Sequence, residues 1–433
     1  MFISKGQDSK DLALTVYNQN FAVVKDKRSF EGYNKETQIR FEDVSEKIET
    51  DSIIVDGLQI KELNYDHDLV DKVKLLKKYI GEMVQLVDPK SKHKEFYRLL
   101  SAEQGLVLEH LETGEIILNP PEENLTLPKL PNGLIIKPSL IWEVEKADVD
   151  EVHVTYTTGG LKWKANYVIH LNGDSFDLTA WVLLHNQSGT NFENVRLKLI
   201  AGDVNRVEDV IALPPVQENS LYSYAEMPAF EEKSFSDFHL YTLQGKTTLK
   251  NQQEKQITLF EAAEVPFERY YRYSYNDEKA DIMLKFHNGE KQHLGMPFPA
   301  GKVKVYDEDQ EDGSLELIGE DLIDHQAKNT DIELNLGQAF DIECKSREVD
   351  AYKHGIYEYK EYEYVINNHK DEEAQMKINH SIYKRGWEMV ESSHKYEKLN
   401  SGEIEYNETV AANETLKITF RYRVDISRTV KFE

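Results

Sequence analysis

Cysteine is nearly missing from this sequence. Cys344 stands alone, so it cannot close an internal disulfide, and no cysteine-based zinc finger can form. Long apolar runs are missing too. The largest, around Leu178–Leu184, falls far short of the roughly 18–20 residues a membrane-spanning helix needs. Positive charge is scarce: 52 Lys and Arg face 78 Asp and Glu, a formal net charge of −26. Such a chain repels phosphate backbones, which excludes non-specific nucleic-acid binding as a main role. The opening residues, Met1 to Asp8, show no basic stretch followed by an apolar one. No secretory signal is visible, and a cytoplasmic location is the expectation. Five Asn-x-Ser/Thr sequons, beginning at Asn124, Asn186, Asn379, Asn407 and Asn413, are read accordingly as chance occurrences.

Catalytic signatures are also lacking. Gly245-Lys246-Thr247 would need a glycine five residues earlier to make a phosphate loop, and Leu240 stands there in a strand-and-turn context. Gly173-Asp174-Ser175 is a hairpin turn, and no Gly-x-Ser-x-Gly elbow occurs anywhere. The 14 histidines are scattered singly, His287 and His293 being the closest pair, and no His-Glu-x-x-His spacing appears. The acids from Asp307 to Asp312 miss calcium-loop spacing, with Asp312 sixth and Ile318 twelfth, and read as a solvated turn tip. Cys344 reads as a small buried hydrophobe. No catalytic, cofactor-binding or metal-binding residue is assigned. Ligands converging from distant strands stay open as an alternative.

What is present is β patterning. The 433 residues include 24 Tyr and 17 Phe, too aromatic for a disordered chain and long enough for two to four domains. Leu12, Leu14 and Val16 alternate, Asn18-Gln19-Asn20 turns, and Phe21 and Val23 resume: a hairpin. With Ile39, Phe41 and Ile53–Val55 this makes an N-terminal β unit, residues 1–65. Leu69, Val73, Leu76 and Ile80, followed by Gly81, predict one short connector helix over about Asp66–Ile80. Short strands at Met83–Val87, Phe96–Leu100, Leu106–Leu108 and Glu115–Leu118 predict a small barrel or a highly curved sheet, a barrel-like unit that ends, with the helix, at 130. Four prolines between Pro120 and Pro131 mark a linker.

Beyond it the alternation strengthens. Leu140, Trp142 and Val144, then Val152–Tyr156, Leu161–Leu171, Leu178–His185 and Val195–Leu199, read as an antiparallel meander in a central β-sandwich, 131–345. Trp142, Trp163, Trp181 and Trp387 are expected in the core. A last sandwich unit, 346–433, ends in Leu416, Ile418, Phe420, Tyr422, Val424 and Ile426 alternating against Lys417, Arg421 and Arg423. The phase shift in Tyr357, Tyr359, Tyr362 and Tyr364 is read as a bulge. The fold class is mainly β: antiparallel β-sandwich domains, a small barrel-like unit and one helix.

One stretch differs. Gly202–His239 holds eight acids (Asp203, Glu208, Asp209, Glu218, Glu226, Glu231, Glu232, Asp237) against Arg206 and Lys233, with Pro214, Pro215 and Pro228 among aromatics. It reads as an excursion. Two readings stand: its rings pin a loop onto the sandwich, or Tyr222, Tyr224, Phe230, Glu231, Glu232 and Phe235 form a surface for a basic or apolar protein partner.

Several segments together resemble a large bacterial family of unknown function. They are Leu14–Val24, Tyr156–Tyr167, Leu199–Asn205, Met296–Tyr306, Ile318–Asp321 and Leu336–Asp341. In that family the C-terminal domain is shared with mucoidy-inhibitor-A-like proteins. The resemblance implies a β-rich fold and supplies no activity and no catalytic residues. Better-known relatives carry a long coiled coil where this chain has its short helix, and many look exported. The leading expectation is a non-enzymatic interaction or scaffolding protein without cofactors. A hydrolase or carbohydrate-binding protein with carboxylates assembled from distant strands is the alternative.

Overall fold

Alternating apolar residues become strands, giving a mainly β protein with 62% strand and 5% helix among the described residues. The computed structural model describes residues 1–66, 71–103, 105–129, 137–146, 148–202, 204–206, 230–235, 238–384 and 386–427. The chain divides into two compact units. One comprises Met1–Lys162, His185–Leu199 and Gly245–Glu254; the other comprises Trp163–Leu184, Ile200–Gln244 and Lys255–Glu433.

In the first unit the expected hairpin forms from Ser9–Tyr17 and Phe21–Ser29, with Leu14 opposite Val24 and Val16 opposite Ala22, all buried. Asn20 takes the left-handed turn position at φ 63°. Glu151–Gly159 pairs on the other side of Phe21–Ser29, followed by Ile54–Asp56. A second sheet orders Phe2–Ser4, Gln38–Glu42, Ser139–Val144 and Ile60–Asp66. Its Phe41 and Trp142 stack at 5.1 Å, both fully buried.

The helix is shorter than its periodicity predicts. It spans Lys72–Lys78, because the Asp71 side chain accepts from Lys74 N and caps it, while Asp66 closes the strand Ile60–Asp66. Its buried stripe also differs: Leu76 and Tyr79 face the core, while Val73 is 62% exposed and Ile80 42% exposed. That stripe packs with Val84, Tyr97, Leu99, Leu106 and Leu108. The barrel expectation is corrected. The sheet orders Ile116–Leu118, Val107–His110, Lys94–Ser101, Met83–Val87 and Leu125–Thr126, with two open edges. Leu125–Thr126 lies at an edge, where the flanking prolines cost no ladder bonds.

The meander expectation is corrected as well. Glu151–Gly159 and Leu161–Asn172 belong to different sheets, and the chain turns between them at Gly160. There φ is +81°, and a Cβ would lie 2.6 Å from Gln187 O, so only glycine fits. In the second unit, Leu161–Asn172 runs parallel to Gly301–Glu308, with Tyr167 opposite Val303. Gly301–Glu308 and Leu315–Ile323 form a hairpin around Asp312-Gly313, as the turn residues predict. A further two-layer sandwich packs a six-stranded sheet on a four-stranded one. The six are Asp331–Gln338, Asp281–His287, Glu268–Ser274, Ala374–Ser381, Glu403–Val410 and Glu397–Asn400; the four are Ile342–His354, Tyr357–Asn368, Thr415–Asp425 and Trp387–Ser392. Between them lie Tyr273, Met376, Ile378, Ile404 and Tyr406 from one layer and Tyr364, Ile366, Ile418, Phe420 and Val424 from the other.

Trp142, Trp163 and Trp387 are buried, Trp163 donating from Nε1 to Ile200 O at 3.1 Å. Trp181 departs from expectation. It falls out of phase with buried Ala180 and Val182 and is half-buried on the opposite face.

Candidate functional site

Tyr222 and Tyr224 lie outside the described residues, as does 207–229 as a whole. The far end of the expected excursion is a strand: Phe230–Phe235 pairs antiparallel with Phe238–Leu243, placing Phe230 opposite Leu243, Glu231 opposite Thr242 and Phe235 opposite Phe238. Phe230 is 7% exposed and packs into the fold. Glu232 Oε1 lies 2.9 Å from His239 Nδ1.

The other sequence candidates separate rather than converge. Cys344 is buried, and burial pushes its thiol up to about 12, so almost no thiolate exists at neutral pH. His287 Nδ1 pairs with Asp331 at 2.8 Å, while His293 Nδ1 meets Ala263 O at 2.8 Å. Asp309 and Asp312 spend Oδ1 on the backbone N–H groups of Glu311 and Ser314 within their own turn. Among the described residues, no group of three His, Cys, Asp or Glu side chains is arranged to hold a metal ion.

What the structure does assemble is an aromatic cage around His380. The strand Ala374–Ser381 points Met376, Ile378 and His380 inward by simple alternation. His380, 2% exposed, shares a 2.7 Å hydrogen bond between Nδ1 and Tyr364 Oη. Rings of Tyr362, Phe420 and Tyr275 lie 4.3, 5.0 and 5.3 Å away. Its Nε2 is buried without a partner among the described residues. Above the cage, Tyr362 Oη and Lys360 Nζ each donate to Glu348 Oε2 at 2.7 Å. No motif announces this cluster. Its trace in the sequence is a histidine in the inward phase of an apolar strand.

Desolvation, with Lys360 adding to it, holds the His380 pKa down at about 4 against an ordinary 6.5. As pH falls below about 6.5, the unfolded chain takes up the proton first. The contribution is therefore intact above that value and is lost progressively down to about 4. The difference amounts to about 3 kcal/mol. Urea denaturation of wild type and His380→Leu across this window should show the wild type losing that much more stability. Parallel pH profiles would remove His380 as the source.

The neighbouring sheet carries a long exposed edge. Ile342–His354 is an edge strand, and all eight residues from Arg347 to His354 are exposed, so this half of the strand is wet on both faces. Tyr352 stands opposite Tyr359, the rings stacked at 4.9 Å and 5°. Arg423 lies 4.4 Å over the Tyr357 ring. The expected bulge in the tyrosine run sits elsewhere. Tyr357–Asn368 pairs without interruption to Thr415–Asp425, with Tyr362 and Tyr364 inward. The register shifts in the partner strand, between Glu348 and Asp350.

The fold and these surfaces define a multi-sheet β-sandwich protein with a histidine-centred core and a projecting ribbon. The chain belongs to the DUF4139 family, a domain of unknown function, which it matches over residues 152–428. Five of the six resembling segments fall inside that span; Leu14–Val24 precedes it. Comparison with curated proteins finds no match. No helix among the described residues is long and apolar enough to cross a membrane.

Proposed function

We propose that this protein is a non-enzymatic interaction protein, akin to mucoidy-inhibitor-A-like proteins in its C-terminal domain, that docks on a basic protein surface. The ribbon Arg347–Glu361 carries the reading. A monomer ordinarily buries one face of a strand, and here the outer half of Ile342–His354 buries neither, while Val349, Tyr352 and Ile356 are presented to solvent. Rigid aromatic side chains in a charged rim are the usual anchors of protein interfaces. The bulge at Val349 and the charges of Arg347, Glu348, Asp350 and Lys353 oppose simple strand addition, so the partner sits on the face. The net charge of −26 favours a basic one. The acidic stretch 202–239 belongs to the same proposal through Tyr222, Tyr224, Glu231, Glu232 and Phe235, and a cytoplasmic location goes with it, checked by fractionation.

Affinity capture from the native cell tests the reading. A basic protein should bind, weaken as salt rises, and be lost in a Tyr352→Ala/Tyr359→Ala double variant of unchanged melting temperature. Tyr224→Ala alone tests the acidic stretch, since Phe230→Ala would disturb packing. Capture that survives the ribbon variant would overturn the assignment of the surface.

A further inference from the structure

The outer face of the six-stranded sheet carries a cavity of about 340 Å³ that none of the features above uses. Glu268–Ser274 and Ala374–Ser381 run parallel there, setting Arg272 beside Lys377 and Ser274 beside Asn379, while Asn379 stands opposite Glu405 on Glu403–Val410. Glu403 also lines a second cavity of about 290 Å³ that reaches Tyr383, a residue 96% exposed.

We infer that this groove binds a short neutral carbohydrate, one ring over Asn379 and Glu405 and the next against Tyr383. Charge decides the class first. Arg272 and Lys377 line the first cavity together with Glu333, Glu403 and Glu405, so an ion of either sign meets repulsion from one set. A polyhydroxylated neutral molecule gives hydroxyl donors to the carboxylates and oxygen acceptors to the cations. Each volume lies near the lower end of the roughly 300–1,000 Å³ typical of small-molecule sites.

A placed donor–acceptor pair comes second. Asn379 Nδ2 donates to Glu405 Oε2 at 3.2 Å, which sets the amide and the carboxylate side by side on the groove wall, a pairing suited to reading sugar hydroxyls. Third, the lining is held in place before any ligand arrives. Lys377 Nζ sits 4.0 Å over the Tyr270 ring, and Tyr270 is itself 4% exposed. Pre-ordered side chains lose little freedom on binding. Because Lys377 covers Tyr270, stacking falls to Tyr383, whose free ring offers an apolar plate to the C–H face of a sugar. The groove and the ribbon are separate surfaces, so either assignment can fail alone.

The test is a printed array of neutral, amino and acidic oligosaccharides, followed by titration of the protein with the neutral disaccharides that score. Binding to a neutral glycan, little changed by salt, is expected. Glu405→Gln and Tyr383→Ala should each weaken it about tenfold, as expected for one charge-assisted hydrogen bond or one ring contact. Tyr383 is exposed, so its variant keeps the fold, and a shared melting temperature checks this. No binding to any neutral glycan, binding of charged sugars only, or binding indifferent to both substitutions would each overturn the inference.

Discussion

Phe420→Ala should destabilise the C-terminal sandwich by about 3–5 kcal/mol, while Arg421→Ala, one residue on, should cost about 1 kcal/mol or less. The two differ because Thr415–Asp425 alternates strictly between core and solvent. Phe420 is 2% exposed and meets Tyr362 at 5.6 Å, Tyr406 at 5.7 Å and His380 at 5.0 Å between ring centroids. Truncation leaves a ring-sized void lined by groups that cannot collapse, because Tyr362 and Tyr364 are tied by their hydroxyls to Glu348 and His380. Arg421 instead reaches across the outer face, donating from Nε and Nη2 to Glu361 Oε2 at 2.9 and 2.6 Å. Both partners are about a quarter to a third exposed, at 26% and 32%, so water takes over most of what the pair supplies. Urea denaturation of the two variants, followed by near-ultraviolet signals of the tyrosine cluster, makes the comparison. Equal costs would place the strand in the wrong register.

That contrast was readable in the sequence, since alternation along Leu416–Ile426 states which residues share a face. The same logic placed Trp163, Ala165, Tyr167 and Ile169 inward. Alternation does not say which strand lies alongside. Tyr167 pairs with Val303 in parallel, a neighbour far along the chain that no local pattern names. Helical periodicity over few turns was weaker still. Leu69, Val73, Leu76 and Ile80 fit one stripe; Leu69 lies outside the described residues, and of the rest packing selected Leu76, with Tyr79, because the small sheet lies against that side. Nor could strand count distinguish a closed barrel from the open sheet, since closure depends on pairing at the edges.

The sites divide along the same line. The loop acids at Asp307–Asp312 and the Gly245-Lys246-Thr247 turn are local, and their turn chemistry could be read directly. The His380 cage draws on Tyr362 and Tyr364 from one strand, Phe420 from another and Tyr275 just past the end of Glu268–Ser274, and the groove at Asn379 joins residues from four strands. Neither has a spacing. A polar residue in the inward phase, as at His380, is the one trace such assemblies leave.

Arg28 should show the same blindness of sequence with a comparably large effect: Arg28→Ala is expected to cost about 3–5 kcal/mol. Its position in Phe21–Ser29 reads as an ordinary charged strand residue, yet it is 2% exposed, beside Asp26 at 6%. The guanidinium Nε donates to Asp26 Oδ2 at 2.7 Å. Nη1 donates to Ser4 O at 3.2 Å and Glu42 O at 2.8 Å, and the plane lies 3.6 Å over Phe41. One side chain thus ties the hairpin to two strands of the second sheet in its unit. Removing it strands the Asp26 carboxylate with Ser9 Oγ as its side-chain donor among the described residues, and it takes the guanidinium donor from the Ser4 and Glu42 carbonyls. Most of the cost is that stranded charge, not the attraction lost. An Arg28→Met/Asp26→Leu double variant should therefore be more stable than Arg28→Ala alone, although it deletes both charges. A double-mutant cycle in urea decides the matter. If the double variant is worse than the single, the Asp26 carboxylate is not a stranded charge, and its bond from Ser9 Oγ supports it without Arg28.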